Sequence, residues 1–248
     1  MPDTPVRTDL IDAVCRALAA QGDPVRATGQ QRYMRSALPF HGVTMPQVRT
    51  LTRALLTDDT LAPDSPEEWR ATVRALWDTA THREERYAAQ EVLAHRRYAA
   101  WLAPDVLPLI EHLVTTGAWW DHVDGLATRH TGSVLRTHRA EVTPVLRRWM
   151  VADDRDGAMW LRRTAILAQL HHREETDLDL LSDAVDANLE VAVGGGLTPY
   201  GREFFVRKAI GWALRQHART DPAWVRTFVA TRGGRMSGLS RREALKHL

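Results

Sequence analysis

The chain has 248 residues, and its 33 Lys and Arg against 31 Asp and Glu give a formal net charge of +2. Hydrophobic residues at 44% and charged residues at 26% are typical of a soluble globular protein. No apolar run approaches the roughly 18 residues of a membrane-spanning helix, and the N-terminus lacks a secretion signal. A lone Cys15 excludes an internal disulfide and any Cys-based zinc site. We therefore expect a cytoplasmic protein without membrane contact.

Helical periodicity runs through nearly the whole sequence. Apolar residues recur at spacings of three and four from Leu10 to Leu18, and Pro24 and Pro46 suit the first turns of two further helices. Ser65, with Glu68 three residues later, predicts a capping box for a fourth helix. The remaining helical segments are 83–97, 104–115, 118–130, 140–151, 157–171, 175–191, 200–219 and 222–231.

A last helix is predicted after a capping box formed by Ser240 and Glu243. No segment has the alternating pattern of a β-strand. A dozen or so helices with short connections predict an all-α fold, a single-domain α-solenoid of HEAT-like antiparallel helix pairs over residues 1–248. Such a solenoid has a concave face, where we expect a protein or nucleic-acid partner to bind.

Charge is unevenly distributed along the chain. Residues 200–248 contain 11 Lys and Arg against 3 Asp and Glu, a net of +8, whereas the first 199 residues have a net of −6. This asymmetry favours a surface that binds a polyanion. A solvated basic tail is the alternative.

An aromatic and cationic stripe lies on the predicted helix 200–219. At 100° per residue its members fall within about 80° of one another, and the aliphatic residues occupy another face. The stripe consists of Phe205, Lys208, Trp212, Arg215 and Arg219. Cations contacting phosphates beside an indole that reaches a base would explain it. The alternative is an ordinary amphipathic helix with Trp212 packed under a neighbouring helix.

A second constellation combines a carboxylate with an indole. Trp120 and Asp124 are four residues apart and share a helix face, an arrangement suited to stabilising a developing positive charge. Asp124 alternatively caps a helix or pairs with an arginine. The adjacent Arg162 and Arg163 project about 100° apart. We expect one of them to be solvated and the other to face inward, with Asp124 as its carboxylate partner.

Other candidate sites are weaker. His171–His172, His112 and His138 lack partners at ligand spacing, so we expect no metal. The glycines at 194–196 follow no strand and precede no Walker lysine, which excludes a phosphate loop. Cys15 lies on an apolar helix stripe, and we expect it to be buried.

Several segments, in order along the chain, resemble the DNA alkylation repair family typified by AlkD. They are Tyr33–Arg35 with Pro39–Val43, Arg83–Ala88, Trp119–Asp124, Trp160–Leu167, Glu203–Trp212 and Leu239–His247. The resemblance extends from about residue 10 to the C-terminus.

The resemblance implies a HEAT-like DNA glycosylase that removes cationic N3- and N7-alkylated purines from duplex DNA without a metal or cofactor. It assigns catalysis to Asp124, assigns the lesion contacts to Trp120 and Trp212, and assigns the essential arginine to Arg163, with Arg162 as the alternative. Tyr33 would lie near the DNA, and the basic C-terminal helices would grip its backbone.

The substrates implied by the resemblance range from small methyl lesions to bulky adducts of DNA-alkylating natural products, the latter in self-resistance. We expect a monomer that is associated with the nucleoid when it binds DNA. Two other classes stay open: a catalytically silent DNA-binding member of the same family, and a peptide-binding scaffold, which the basic C-terminal segment argues against.

Overall fold

The computed structural model describes residues 5–153 and 156–248. These residues form fourteen α-helices and no strand, with one isolated bridge between Val191 and Leu197. No helix in these two ranges combines the length and the apolarity needed to cross a membrane. The all-α class is therefore confirmed. The chain divides into two compact units, Met1–Leu102 and Ala103–Leu248, and a single domain over residues 1–248 stays a prediction.

The first unit is built from five α-helices and one 3₁₀ helix. Their bounds are α1 Thr8–Ala20, α2 Pro24–Met34, α3 Met45–Leu55, α4 Pro66–Asp78, α5 Arg83–Leu93 and the 3₁₀ helix Arg96–Trp101. Helices α1, α3 and α5 lie side by side, and α4 packs on α1 and α5. Alternate helices are neighbours in this way in a solenoid of helix pairs. The largest fully buried side chains of this unit are Trp69, Trp77 and Tyr98.

Two predicted helix starts are confirmed, although the predicted capping box at Ser65 is only half formed, because Glu68 accepts the backbone N–H of Asp64 instead of that of Ser65. Asp23 precedes Pro24 and accepts hydrogen bonds from the backbone N–H groups of Val25 and Arg26. Ser65 precedes Pro66 and accepts one from the N–H of Glu68. A side-chain acceptor followed by proline satisfies the free N–H groups of a first turn and fixes its φ angle, which is why the sequence predicts these starts well.

A buried carboxylate holds the loop between α2 and α3. Glu84 has no exposed surface, and its two oxygens accept hydrogen bonds from the backbone N–H groups of His41, Gly42 and Val43 at 2.8–3.0 Å. Gly42 has φ +88°, and a Cβ there would lie 2.0 Å from the carbonyl oxygen of Asp23. Only glycine fits this turn. The turn at Gly42 and the hydrogen bonds to Glu84 together fix the position of His41.

The second unit contains the remaining nine α-helices. Their bounds are α6 Leu107–Gly117, α7 Trp120–Gly125, α8 Gly132–Thr137, α9 Arg139–Trp149, α10 Ala158–Leu167, α11 Leu178–Asp186, α12 Phe204–His217, α13 Pro222–Arg232 and α14 Gly238–Ala244. Short 3₁₀ helices cover Pro104–Val106 and Arg173–Glu175. Helix α10 packs against α6, α7, α9, α11 and α12, so nearly all its side chains are buried.

The predicted helix 118–130 differs from the observed structure. Residues Trp120–Thr137 form one continuous helical segment in which Leu126–Thr131 make π-helical turns between α7 and α8. A π-turn widens the helix and breaks the 3.6-residue periodicity, so a periodicity analysis cannot follow the segment through it.

Several other helix bounds are shorter than predicted. The segment 83–97 ends its α-helix at Leu93, and 175–191 forms α-helix only from Leu178 to Asp186. Helix α12 begins at Phe204 rather than at residue 200. Apolar periodicity continues into the 3₁₀ and turn residues that flank these helices, because those residues also face the core.

The predicted capping box of the last helix is wrong. Helix α14 begins at Gly238, and Ser237 is its cap, accepting a hydrogen bond from the N–H of Ser240. Ser240 is buried and donates to the carbonyl oxygen of Arg207 at 2.9 Å. Glu243 is therefore free of the capping role and points its carboxylate at α12, where it meets Lys208.

Candidate functional site

The centre of the candidate site is an ion pair between α7 and α10. Arg163 Nε donates to Asp124 Oδ1 at 2.7 Å, and Nη2 donates to Oδ2 at 3.0 Å. Two parallel N–H···O bonds fix a carboxylate in both position and plane. The predicted pairing of Asp124 with an inward-facing arginine is present in the structure, and the partner is Arg163.

The two members of this pair differ in exposure. The Arg163 side chain is 5% exposed, whereas that of Asp124 is 20% exposed, so the carboxylate can meet a ligand. Burial raises the pKa of Asp124 above its ordinary value of 3.8, against the hydrogen bonds and charge of Arg163, which lower it. A carboxylate that is partly desolvated but still accessible is suited to stabilising a cation.

The expectation that one of the two adjacent arginines is solvated is wrong, because both are buried. Arg162 Nε donates to the carbonyl oxygen of Ala152 at 2.6 Å, and Nη1 donates to Asn188 Oδ1 at 3.0 Å. Its guanidinium group also lies 4.9 Å from the Tyr200 ring centroid. Helix α10 is surrounded by other helices, so each arginine faces a different set of acceptors. The acceptors of Arg162 are a backbone carbonyl and an amide, which gives this residue a structural role.

An aromatic cluster adjoins the ion pair. The Phe205 ring lies 5.4 Å from that of Trp119 and 5.0 Å from that of Trp160. Arg163 Nη1 donates to the backbone carbonyl of Phe205, and its guanidinium lies 5.9 Å from that ring. Arg163 thus connects Asp124 to the first turn of α12.

The two predicted lesion-contacting tryptophans are both half-buried. Trp120 begins α7, one turn before Asp124. Trp212 lies on α12, seven residues after Phe205 and so on the same face about 10 Å further along the axis. The aliphatic face of α12 is buried, as predicted, with Val206, Ala209, Ile210, Ala213 and Leu214 in the core.

Two cations of the α12 stripe share one carboxylate. Lys208 Nζ lies 3.1 Å from Glu243 Oε2, and Arg215 pairs with Glu243 Oε1. Helix α14 comes close because Gly211 has no side chain; a Cβ there would lie 2.5 Å from the Cβ of Glu243. Arg219, by contrast, is exposed in the turn that follows α12, because the helix ends at His217 and not at the predicted residue 219. Glu243 is not predicted as a partner of the stripe, because its spacing from Ser240 indicates a cap.

The π-turns lie immediately after Asp124. They begin at Leu126, and Thr128 donates a hydrogen bond to the carbonyl oxygen of Asp124 at 2.7 Å. They end at Thr131, and the next residue is Gly132, where a Cβ would lie 2.5 Å from the carbonyl oxygen of Ala168. Wide turns of this type often occur at functional sites, because they alter which residues a helix presents to its neighbours.

Residues outside this site occupy a range of settings. Tyr33, expected near DNA, is 73% exposed on α2. His172 is buried against the carbonyl oxygen of Gly132 at 2.9 Å, a structural contact. Cys15 is half-buried rather than fully buried.

One cluster with the donor types of a metal site escaped the sequence analysis. His41, His82 and Glu85 place one ligand atom each within 4.8 Å of one another. His41 comes from the loop before α3 and the other two from the start of α5, and no short spacing in the sequence connects these segments.

Fold and site together define an all-α protein with an arginine-held, partly exposed carboxylate beside an aromatic cluster. A family model described as "DNA alkylation repair enzyme" matches residues 14–248, so the chain belongs to the DNA alkylation repair family. Among solved structures, "Predicted DNA alkylation repair enzyme from Enterococcus faecalis" is similar, with a TM-score of 0.76, 28% identity and coverage of 92% of this chain and 97% of that one. The search of curated proteins gives no match. The family supports an enzyme of DNA alkylation repair with DNA as its partner.

Proposed function

We propose that this protein is a monofunctional DNA glycosylase that hydrolyses the N-glycosidic bond of cationic N3- and N7-alkylated purines in duplex DNA. The observation that carries the proposal is the Asp124 carboxylate, which is 20% exposed and held by two hydrogen bonds from Arg163. Family membership supplies the substrate class, alkylated DNA.

The chemistry requires only one carboxylate. A purine alkylated at N3 or N7 carries a positive charge, so it leaves with the electron pair of the C1′–N9 bond and needs no proton from an acid. Ordinary glycoside hydrolysis uses a second carboxyl group for that protonation. Asp124 stabilises the positive charge that develops on the sugar and orients the water that adds to C1′. The products are a free base and an abasic site.

Arg163 is a positioning residue in this scheme. Burial alone raises the pKa of Asp124, and an uncharged carboxyl group would not stabilise an oxocarbenium-like sugar. The charge and hydrogen bonds of Arg163 oppose that effect and fix the plane of the carboxylate. Its third bond, to the Phe205 carbonyl, holds the guanidinium when a substrate arrives.

The half-buried indoles of Trp120 and Trp212 provide the lesion contacts. An indole face attracts a cation by about 0.5–2 kcal/mol, and the alkylated base and the developing sugar cation are both positively charged. Because this attraction strengthens as charge develops on the sugar, part of it lowers the barrier.

The decisive experiment compares Asp124→Asn with Asp121→Asn, the same chemical change three residues earlier on α7. Release of N7-methylguanine and N3-methyladenine from methylated duplex DNA is measured as single-turnover base release. We expect Asp124→Asn to lose about 100-fold or more in rate, a loss typical of removing one transition-state contact, with DNA affinity retained. Asp121→Asn should keep most activity. Equal activity of the wild type and Asp124→Asn would remove Asp124 from its role.

The same assay separates the alternatives. Salt-sensitive DNA binding without any base release would identify a catalytically silent DNA-binding member of the family. Duplexes carrying a bulky N3-adenine or N7-guanine adduct, compared with methyl lesions, test the proposed role in self-resistance. A rate advantage for the bulky adducts would support that role.

A further inference from the structure

Two histidines of the first unit converge on one carboxylate oxygen of Glu85. His41 Nε2 lies 3.1 Å from Glu85 Oε1, and His82 Nδ1 lies 3.6 Å from the same oxygen. Two imidazoles and a carboxylate are the donor set that Zn²⁺ and its neighbours in the first transition series prefer. The cluster is separate from Asp124 and takes no part in the proposed glycosylase chemistry.

The separations fit a tetrahedral ion. Ligands at the usual zinc–nitrogen and zinc–oxygen distances lie about 3.3 Å apart. The two measured distances to Glu85 bracket that value, and the three ligand atoms already lie within 4.8 Å of one another. The rings of His41 and His82 are stacked, with centroids 3.7 Å apart, so one must tilt to direct its nitrogen at an ion. His82 is 32% exposed and has room to do so.

The surrounding hydrogen bonds already orient two of the ligands. Glu85 Oε2 accepts the backbone N–H groups of Thr81 and His82 at 2.6 and 3.1 Å, which leaves Oε1 directed at the histidines. These bonds help to hold the pKa of Glu85 below its ordinary value despite burial, which alone would raise it. On the other side, Glu84 fixes the loop that carries His41. Such outer contacts are the support that metal ligands require.

We propose that His41, His82 and Glu85 bind one divalent transition-metal ion of the Zn²⁺ class. The ion would join the loop before α3 to the start of α5. It would thereby stabilise the first unit, because the free energy of metal binding adds to the stability of the folded state.

The test uses the full chain, stripped with a chelator and titrated with Co²⁺ as a spectroscopic probe. We expect one Co²⁺ per chain, visible-region absorption of a tetrahedral site, and displacement by one equivalent of Zn²⁺. Metal should raise the melting temperature of the wild type.

The variants His41→Gln and His82→Asn keep a hydrogen-bonding group but remove the imidazole, and we expect each to lose at least about tenfold in affinity. The matched control is His138→Asn. Like His82, His138 occupies the N-cap position of a helix and contacts the preceding threonine, with Thr137 Oγ1 2.7 Å from its Nδ1. Absence of saturable Co²⁺ binding by the wild type, or equal affinity in His41→Gln, His82→Asn and the control, would overturn the proposal.

Discussion

Arg163 affects the Asp124 carboxylate in two ways: its two hydrogen bonds fix the orientation, and its charge opposes the rise in pKa that burial causes. A neutral Asp124 cannot stabilise a cation. The rate of base release should therefore fall as the pH drops through a pKa that lies above 3.8. The acid limb of the pH profile of kcat/KM reports this pKa in the free enzyme, and that of kcat reports it in the complex.

In Arg163→Lys the charge remains but the paired hydrogen bonds are lost, so we expect the acid limb to move to higher pH. Single-turnover rates measured across the acidic range, corrected for spontaneous base loss, give its position. Arg202→Lys, an exposed arginine that pairs with Glu190, is the control and should leave the profile unchanged. An acid limb at the same pH in Arg163→Lys would mean that Arg163 does not tune Asp124.

Trp212 should affect catalysis more than binding. We expect Trp212→Ala to slow excision by about 2- to 30-fold, the range given by cation–π energies, and to change affinity for undamaged DNA much less. Trp224→Ala is a suitable control, because Trp224 is also half-buried but packs on His217 and Phe228 instead. Equal losses in excision and in undamaged-DNA binding would contradict a lesion contact.

Residue-level prediction from the sequence succeeds where spacing or a general chemical requirement decides. Trp120 and Asp124 share a helix face by spacing alone. The long-range pairing of Asp124 with an arginine is predicted because a buried arginine requires a carboxylate. The choice between Arg162 and Arg163 requires coordinates, because it depends on how α10 is rotated among five other α-helices. The His41, His82 and Glu85 cluster forms only when the loop folds onto α5, so no spacing indicates it.

At the scale of elements, α14 determines how α12 presents its cations. Glu243 pairs with both Lys208 and Arg215, so these cations are partly neutralised before any DNA binds. If the α12 stripe grips phosphates, Glu243→Gln should strengthen binding to undamaged duplex and steepen its salt dependence. Lys208→Ala should weaken binding and shallow the slope of log affinity against log salt by about one unit.

Fluorescence anisotropy with undamaged duplex at several salt concentrations measures both effects. Glu190→Gln is the matched control, because Glu190 also pairs with an arginine, Arg202, but lies outside α12 and α14. Unchanged affinity and slope in both Glu243→Gln and Lys208→Ala would mean that this face of α12 does not contact the DNA backbone.

Element prediction is most accurate at helix starts and least accurate where the geometry changes within a helix. Asp23 and Ser65 mark their starts through local chemistry, a side-chain acceptor followed by proline. At Leu126–Thr131 the backbone widens under tertiary contacts, such as the close approach of Gly132 to Ala168, that leave no local signal. The Ser240 error has the same origin, since Ser240 bonds to Arg207 on another helix.

For the whole molecule, the uneven distribution of charge along the chain indicates DNA binding more strongly than the net charge of +2 does. We expect the double variant Arg241→Gln with Arg242→Gln to weaken binding to undamaged duplex and to lower the salt slope by up to about two units. Both residues are exposed on α14. If the basic segment 200–248 contacts the DNA, an equal change of charge outside it should weaken binding less.

The comparison variant is Arg147→Gln with Arg148→Gln on α9, which changes the net charge by the same amount. Arg147 pairs with Asp183 there, outside the basic C-terminal segment. Binding losses of the same size in both double variants would indicate that overall charge, and not a basic surface formed by residues 200–248, attracts the DNA.

The wide turns between α7 and α8 determine where this helical segment can change in length. Each π-turn holds more residues than an α-turn, so removing one residue from Leu126–Thr131 would restore α-geometry and leave the helix beyond it in nearly the same rotation. The same deletion within Trp120–Gly125 has no extra residue to absorb it and would rotate the two ends of the helix against each other by about 100°, which would disturb the alignment of Asp124 with Arg163. A deletion scan of the gene should therefore find Leu126–Thr131 more tolerant of a lost residue than Trp120–Gly125.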